Sequence, residues 1–149
     1  YNFITDTYDV SRCYIHPEYN PSSSLYENDI ALLMLKEPLK RSVFFDEIPE
    51  DLTLSQDSVL ERIGFGHRTK GNCRTWTNPQ FQELLFNQKA FKLSDRYSFV
   101  GDSGGPIYVN EDGIRKLVGI HSTKEAGENT YVINLPYYKN WIDSLMATL

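Results

Sequence analysis

Gly101-Asp102-Ser103-Gly104-Gly105-Pro106 is the stretch on which the reading of this chain turns, and it sits just ahead of an apolar run that suits a strand. Gly101 has no Cβ, so a substrate carbonyl can approach its backbone N–H, and the N–H of Ser103 can supply the second donor of an oxyanion hole. Gly104 and Gly105 permit a tight turn. The plain alternative for the hexapeptide is a β-turn rich in Gly, Asp and Ser, a common feature, and context must decide.

The context lies upstream, in Asn28-Asp29-Ile30-Ala31-Leu32-Leu33, where an acidic residue opens an apolar strand. Such a carboxylate is expected to be largely buried, and a buried carboxylate demands a partner. Read alone, Asp29 is a turn residue before a strand.

Around these two motifs the chain consists of short apolar runs separated by Gly, Pro, Asn, Asp and Ser, an all-β signature. Strands are expected at 10–15, 30–35, 58–64, 80–86, 106–109, 115–121 and 130–134. At the C-terminus Pro136 suits a first helical position, and Tyr138, Trp141, Ile142, Leu145 and Met146 recur at helical spacing, so a helix should run to about Ala147. Surface loops are expected at 21–24 and 69–72, and the acidic, proline-containing stretch 47–57 reads as a link between two halves. The division is therefore 1–46, a connection at 47–57, and 58–149.

The 149 residues carry 15 Lys+Arg against 20 Asp+Glu, a net charge of −5, which argues against non-specific capture of nucleic acid or an anionic membrane. No run approaches the ~18 apolar residues of a transmembrane helix. Tyr1 is not an initiator, so the translated product is expected to extend upstream or to have been trimmed there. Two cysteines, Cys13 and Cys73, allow at most one internal bridge.

Taken together and in this order, the two motifs resemble the trypsin/chymotrypsin-like serine endopeptidases, with N-D-I-A-L-L around an aspartate and G-D-S-G-G-P around a serine. His16-Pro17-Glu18-Tyr19-Asn20, Gly64-Phe65-Gly66 and the terminal strand-plus-helix extend the resemblance over nearly the whole chain. It implies two antiparallel β-barrels with the site in the crevice between them and a C-terminal helix, here with the first barrel incomplete. Residues 1–46 would then be a remnant of the first barrel carrying the aspartate, and 58–149 the second barrel with the serine. It also implies a secreted, extracellular hydrolase acting on polypeptides. By position, Ser103 would be the nucleophile, Asp29 the residue that orients the catalytic imidazole, and Gly101 and Ser103 the oxyanion donors. Ser122 falls where the family hydrogen-bonds that aspartate. Asp102 matches the carboxylate that, in the family, pairs with a new N-terminal ammonium after zymogen cleavage. Tyr1-Asn2-Phe3 does not resemble the usual Ile-Val-Gly-Gly start.

The general base departs from the pattern. The family's histidine precedes the aspartate by about 45 residues, which places it ahead of Tyr1. His16 belongs to a different motif and reads as a loop residue, His67 follows the Gly-Phe-Gly turn and reads as exposed, and His121 has no evident reach to Ser103 Oγ. The isolated chain is thus expected to be inactive, and to fold poorly unless upstream sequence of the same protein completes the barrel. The interval from aspartate to serine is also short, 103 − 29 = 74 residues against about 93 in chymotrypsin. Phe99 replaces the cysteine usually found four residues before the serine. Cys13 and Cys73 match no family pair, so buried free thiols, a bond from Cys73 to an upstream segment and a Cys13–Cys73 bridge all stay open.

Trypsin-like members select Lys or Arg with an aspartate six residues before the nucleophile, and position 97 here is Tyr. Asp95 could substitute only if the loop were realigned. Gly119-Ile120-His121 and Ser98 resemble instead the glutamyl endopeptidase branch, in which the matching histidine and hydroxyl recognise a substrate carboxylate, and Lys124 could add charge. The substrate-binding positions so implied are Tyr97, Ser98, His121, Ser122, Thr123 and Lys124. The plain alternative makes His121 a satisfied strand residue and Lys124 a solvated one. A further alternative is a protease-fold binding or regulatory module without catalysis. Histidines at 16, 67 and 121 have no metal-ligand spacing, and no metal or cofactor is implied.

Overall fold

The computed structural model describes residues 6–22, 27–40, 46–66, 74–124 and 129–149, and among these the chain forms nine strands and one helix. Strands β1 (Val10–Ile15) and β2 (Ala31–Leu35) pair antiparallel as a two-stranded sheet. The other strands are β3 (Val59–Gly64), β4 (Thr75–Thr77), β5 (Gln80–Leu85), β6 (Ala90–Ser94), β7 (Pro106–Glu111), β8 (Ile114–Lys124) and β9 (Asn129–Asn134). They form one antiparallel sheet in the order β4-β3-β7-β8-β9-β6-β5, which curls until β5 meets β3. Helix α1 (Leu135–Met146) closes the chain. This is the mostly β, half-barrel-plus-helix architecture expected of the chymotrypsin-like fold.

Period-two alternation builds the curl. In β3 the inward positions are Leu60, Arg62 and Gly64, all buried, while Val59, Glu61 and Ile63 are more exposed. Leu60 joins Phe91, Leu93, Ile107, Val109, Val118 and Val132 in the core inside the curl. Burying side chains of this size contributes roughly 1.5–3 kcal/mol each.

Two strands escaped the sequence reading. Strand β4 has three residues, too short for a pattern. Strand β6 follows a turn in which Phe86, Asn87 and Gln88 all take positive φ, +53°, +55° and +70°, with neither Gly nor Pro to announce it.

A second core sits outside the curl, where Leu135, Tyr138 and Ile142 of α1 meet Ile133 of β9 and Ile30. His16, expected as a plain loop residue, follows β1 but is buried against this helix, its ring 5.3 Å from Tyr138 and 4.9 Å from Trp141. The acidic stretch 47–57 runs across both cores. The N–H of Leu117 donates to Glu47 O at 2.8 Å, Ile48 packs on the helix cluster, and Leu52 and Leu54 pack on the other. Cys13 is a free, exposed thiol rather than a buried or bridged one. His67, Cys73, the expected loop at 69–72 and residues 23–24 of that at 21–24 lie outside the described residues.

Candidate active site

Backbone hydrogen bonds tie the loop 101–105 to β8. Gly104 N–H donates to His121 O at 2.8 Å and His121 N–H to Gly105 O at 2.9 Å, which extends the β7–β8 ladder past Pro106. Within the loop, Asp102 N–H donates to Phe99 O and Gly105 N–H to Asp102 O, both at 3.0 Å. Gly101 takes φ +104°, a backbone region that a side chain would strain. Ser103 is left exposed at the tip.

Asp29 is placed by its neighbours. Asn28, at φ +60°, donates its N–H to Tyr138 Oη and accepts the Tyr138 hydroxyl on Oδ1, each at 2.8 Å. Ile30 is buried in the helix cluster, and its N–H turns back to Asn28 O at 2.9 Å, so Asp29 is the middle residue of a γ-turn. The expectation that Asp29 is itself largely buried is corrected: both flanking side chains point inward and the carboxylate between them is exposed.

A bulge in β8 joins the two motifs. His121 pairs with Val132 and Thr123 with Tyr131, which makes Ser122 the extra residue. A bulge re-aims its side chain. Ser122 Oγ donates to Asp29 Oδ2 at 2.7 Å, and Ser122 O accepts the Ser103 hydroxyl at 3.0 Å. Asp29 and Ser103 line one hollow of about 540 Å³, together with Cys13, Ile15, Leu33 and Ile120. A second hollow of about 500 Å³ lies on the other side of the loop, between Gly101–Pro106 and Gly64–Phe65.

A model of the family described as Trypsin matches residues 4–142. This chain belongs to the trypsin family. It is also 24% identical, over 181 residues, to the CLIP domain-containing serine protease B14 of Anopheles gambiae. That match covers 93% of this chain and 48% of the relative, so the chain spans about half the length of the curated relative it matches.

Of the residues expected at this trypsin-family site, Asp29, Ser122, Ser103 and Gly101 come together around Ser103. Ser98 and His121 meet each other, Oγ to Nε2 at 2.7 Å, both buried, and His121 also lines the hollow that holds Asp29 and Ser103. Burial pushes the His121 imidazole below its ordinary pKa of 6.5, with the Asp102 carboxylate opposing in part. The neutral ring is therefore the favoured form. Lys124 Nζ donates to Ser98 O at 2.5 Å and stands over the Phe99 ring. Tyr97 is half-exposed, and Thr123 stays in the ladder opposite Tyr131. His16, buried against α1, belongs to the core rather than to this group.

Arg62 was missed by sequence reasoning. Its side chain lies beneath the loop, fully buried, with Nε on Asp95, Nη2 donating to Tyr97 O at 3.0 Å and Nη1 3.0 Å from Asp102 Oδ2. Asp95 also accepts the Tyr97 N–H at 3.1 Å and the Thr77 hydroxyl at 3.2 Å, so it is engaged inward rather than offered to a substrate. The one available signal was the place of Arg62 in the alternation of β3, two residues after Leu60 and two before Gly64.

Proposed function

We propose that this chain carries the nucleophile and the orienting aspartate of a serine endopeptidase, with the general base supplied by a histidine ahead of Tyr1. The observation that carries the reading is the continuous link from Ser103 through Ser122 to Asp29 at the edge of one hollow. The proposal divides the chain as 1–46 with Asp29, 47–57 as connection, and 58–149 with Ser103. An extracellular setting and polypeptide substrates rest on the family.

In the reaction, Ser103 Oγ attacks the scissile carbonyl while the histidine takes its proton. The developing oxyanion is received by the N–H groups of Gly101 and Ser103, which donate no hydrogen bond among the described residues. Collapse expels the amine, protonated by the imidazolium, and leaves an ester on Ser103. Water, deprotonated by the same histidine, then releases the acid. Asp29, steadied by the Ser122 hydroxyl, holds the imidazole in the tautomer that faces Ser103.

The finer reading is a preference for Glu or Asp before the scissile bond. Its supports are the Ser98–His121 pair, the ammonium of Lys124 beside Ser98, and Tyr97 where an aspartate selects basic residues. A neutral imidazole and a hydroxyl recognise a carboxylate by hydrogen bonding, and its arrival favours the imidazolium.

The test is covalent labelling of the full-length protein by a fluorophosphonate, with Ser103→Ala as the control. Labelling that Ser103→Ala abolishes is the expected result. A folded protein that labels no more than its Ser103→Ala variant moves the reading to a catalytically silent binding module. Chromogenic peptides ending in Glu, Arg or Phe test the preference, and faster cleavage after Arg overturns it.

A further inference from the structure

Asp102 is a buried carboxylate with partners from three segments among the described residues. Gly66 N–H donates to its Oδ1 at 2.9 Å, Phe99 N–H donates to its Oδ2 at 2.8 Å, and Arg62 Nη1 stands 3.0 Å from Oδ2. Arg62, Asp95 and Asp102 are each at most 3% exposed. An ionised carboxylate in such a place requires a counter-charge, and removing one member of a buried pair is far more disruptive than removing both. The fit is close: a Cβ on Gly66 would come within 2.6 Å of Asp102 Cγ, so the strand end has no side chain where the carboxylate lies.

We propose that the Arg62 guanidinium is the resident counter-ion of Asp102, and that it holds the Gly101–Ser103 loop in its donor-presenting shape without any chain cleavage. The inference rests on the match of Asp102 to the carboxylate that family members pair with a newly exposed N-terminal ammonium. Here that role falls to a side chain of β3, covalently present from synthesis onward. Arg62 is a positioning residue, since it touches no reacting atom and acts through Asp102. The backbone of Asp102 bonds Phe99 O and Gly105 N–H, so fixing its carboxylate also fixes the peptide units that flank Gly101 and Ser103. Asp95, held by Thr77 and Tyr97, keeps the guanidinium aimed under the loop. Proteolytic activation, if the protein undergoes any, is then not what orders this loop.

The experiment is residue-resolved amide exchange on the uncleaved full-length protein, with and without the dipeptide Ile-Val, the first two residues of the family's usual mature start, at millimolar concentration. It needs no peptidase activity, so failure of the endopeptidase reading leaves its outcome readable. The expected result is that the amides of Gly66, Phe99, Asp102, Gly104 and Gly105 are protected in the uncleaved protein and unchanged by the dipeptide. Arg62→Met should speed their exchange at least tenfold relative to β9 amides, Arg62→Lys should retain most of the protection, and the dipeptide should restore part of it in Arg62→Met. The proposal is overturned if the wild-type loop is unprotected, or becomes protected only when the dipeptide is added, or if Arg62→Met exchanges there like wild type. Loss of β9 protection in Arg62→Met would report general unfolding, and the wild-type arm then decides alone.

Discussion

Asp29 acts at the scale of one carboxylate and the hydroxyl beside it. With Ser122 Oγ fixed at 2.7 Å, one oxygen of Asp29 has a settled direction even though the residue is exposed. Asp29→Asn in the full-length protein should lower kcat on the order of 10⁴-fold while leaving KM nearly unchanged, the pattern of an aspartate that sets a tautomer. Steady-state kinetics on one peptide substrate checks this, and unchanged turnover would mean that Asp29 has another task. Ser122→Ala removes an exposed bond and should shift stability by less than about 0.5 kcal/mol, so a fall in kcat at unchanged urea midpoint would isolate its orienting role. Asp29 was legible because it lies in a short contiguous run, Asn28–Leu33, that carries the family resemblance, and Ser122 because it falls at a position that resemblance names. Arg62 was harder to read, because an arginine is ordinarily placed on the solvent side of a strand and only the alternation of β3 argued otherwise.

At the scale of elements, α1 is the part that reaches the site from farthest away in sequence. Tyr138 bonds both the N–H and the side chain of Asn28, and burial pushes its phenol up to about 12, so it remains a donor throughout the neutral range. Tyr138→Phe leaves two buried groups of Asn28 without that partner, a loss of about 1–3 kcal/mol. Chemical denaturation should register it, and the γ-turn that carries Asp29 should loosen with it. The helix and most strands could be read from spacing, since Trp141, Ile142 and Leu145 mark one face and alternation marks the other elements. Strand β6 could not, because Ala90, Phe91 and Leu93 are all fully buried between β5 and β9 and the turn before it uses left-handed Asn and Gln in place of glycine. The bulge at Ser122 was equally silent, since a bulge is a matter of register between strands rather than of residue type.

Over the whole molecule, His16 and His121 tie stability to pH in the same direction. Burial lowers the pKa of each below 6.5. The unfolded chain therefore binds more protons in the window below that value, so stability is full above it and is lost as pH falls toward the folded pKa values. The urea midpoint should drop between about pH 7 and about pH 5. Combining His16→Gln with His121→Gln should flatten that drop, and an equally steep drop in the double variant would assign it to other groups.

The clamp of Tyr138 on Asn28 also has a meaning in time. The two residues are 110 positions apart, and a ribosome adding about 5–20 residues per second needs roughly 5–20 s to go from one to the other. Throughout that interval the nascent chain already displays the segment bearing its aspartate but has no phenol with which to set it. This part of the site is thus finished late in the order of synthesis: the aspartate's segment is made first and waits, unset, for the phenol that will hold it.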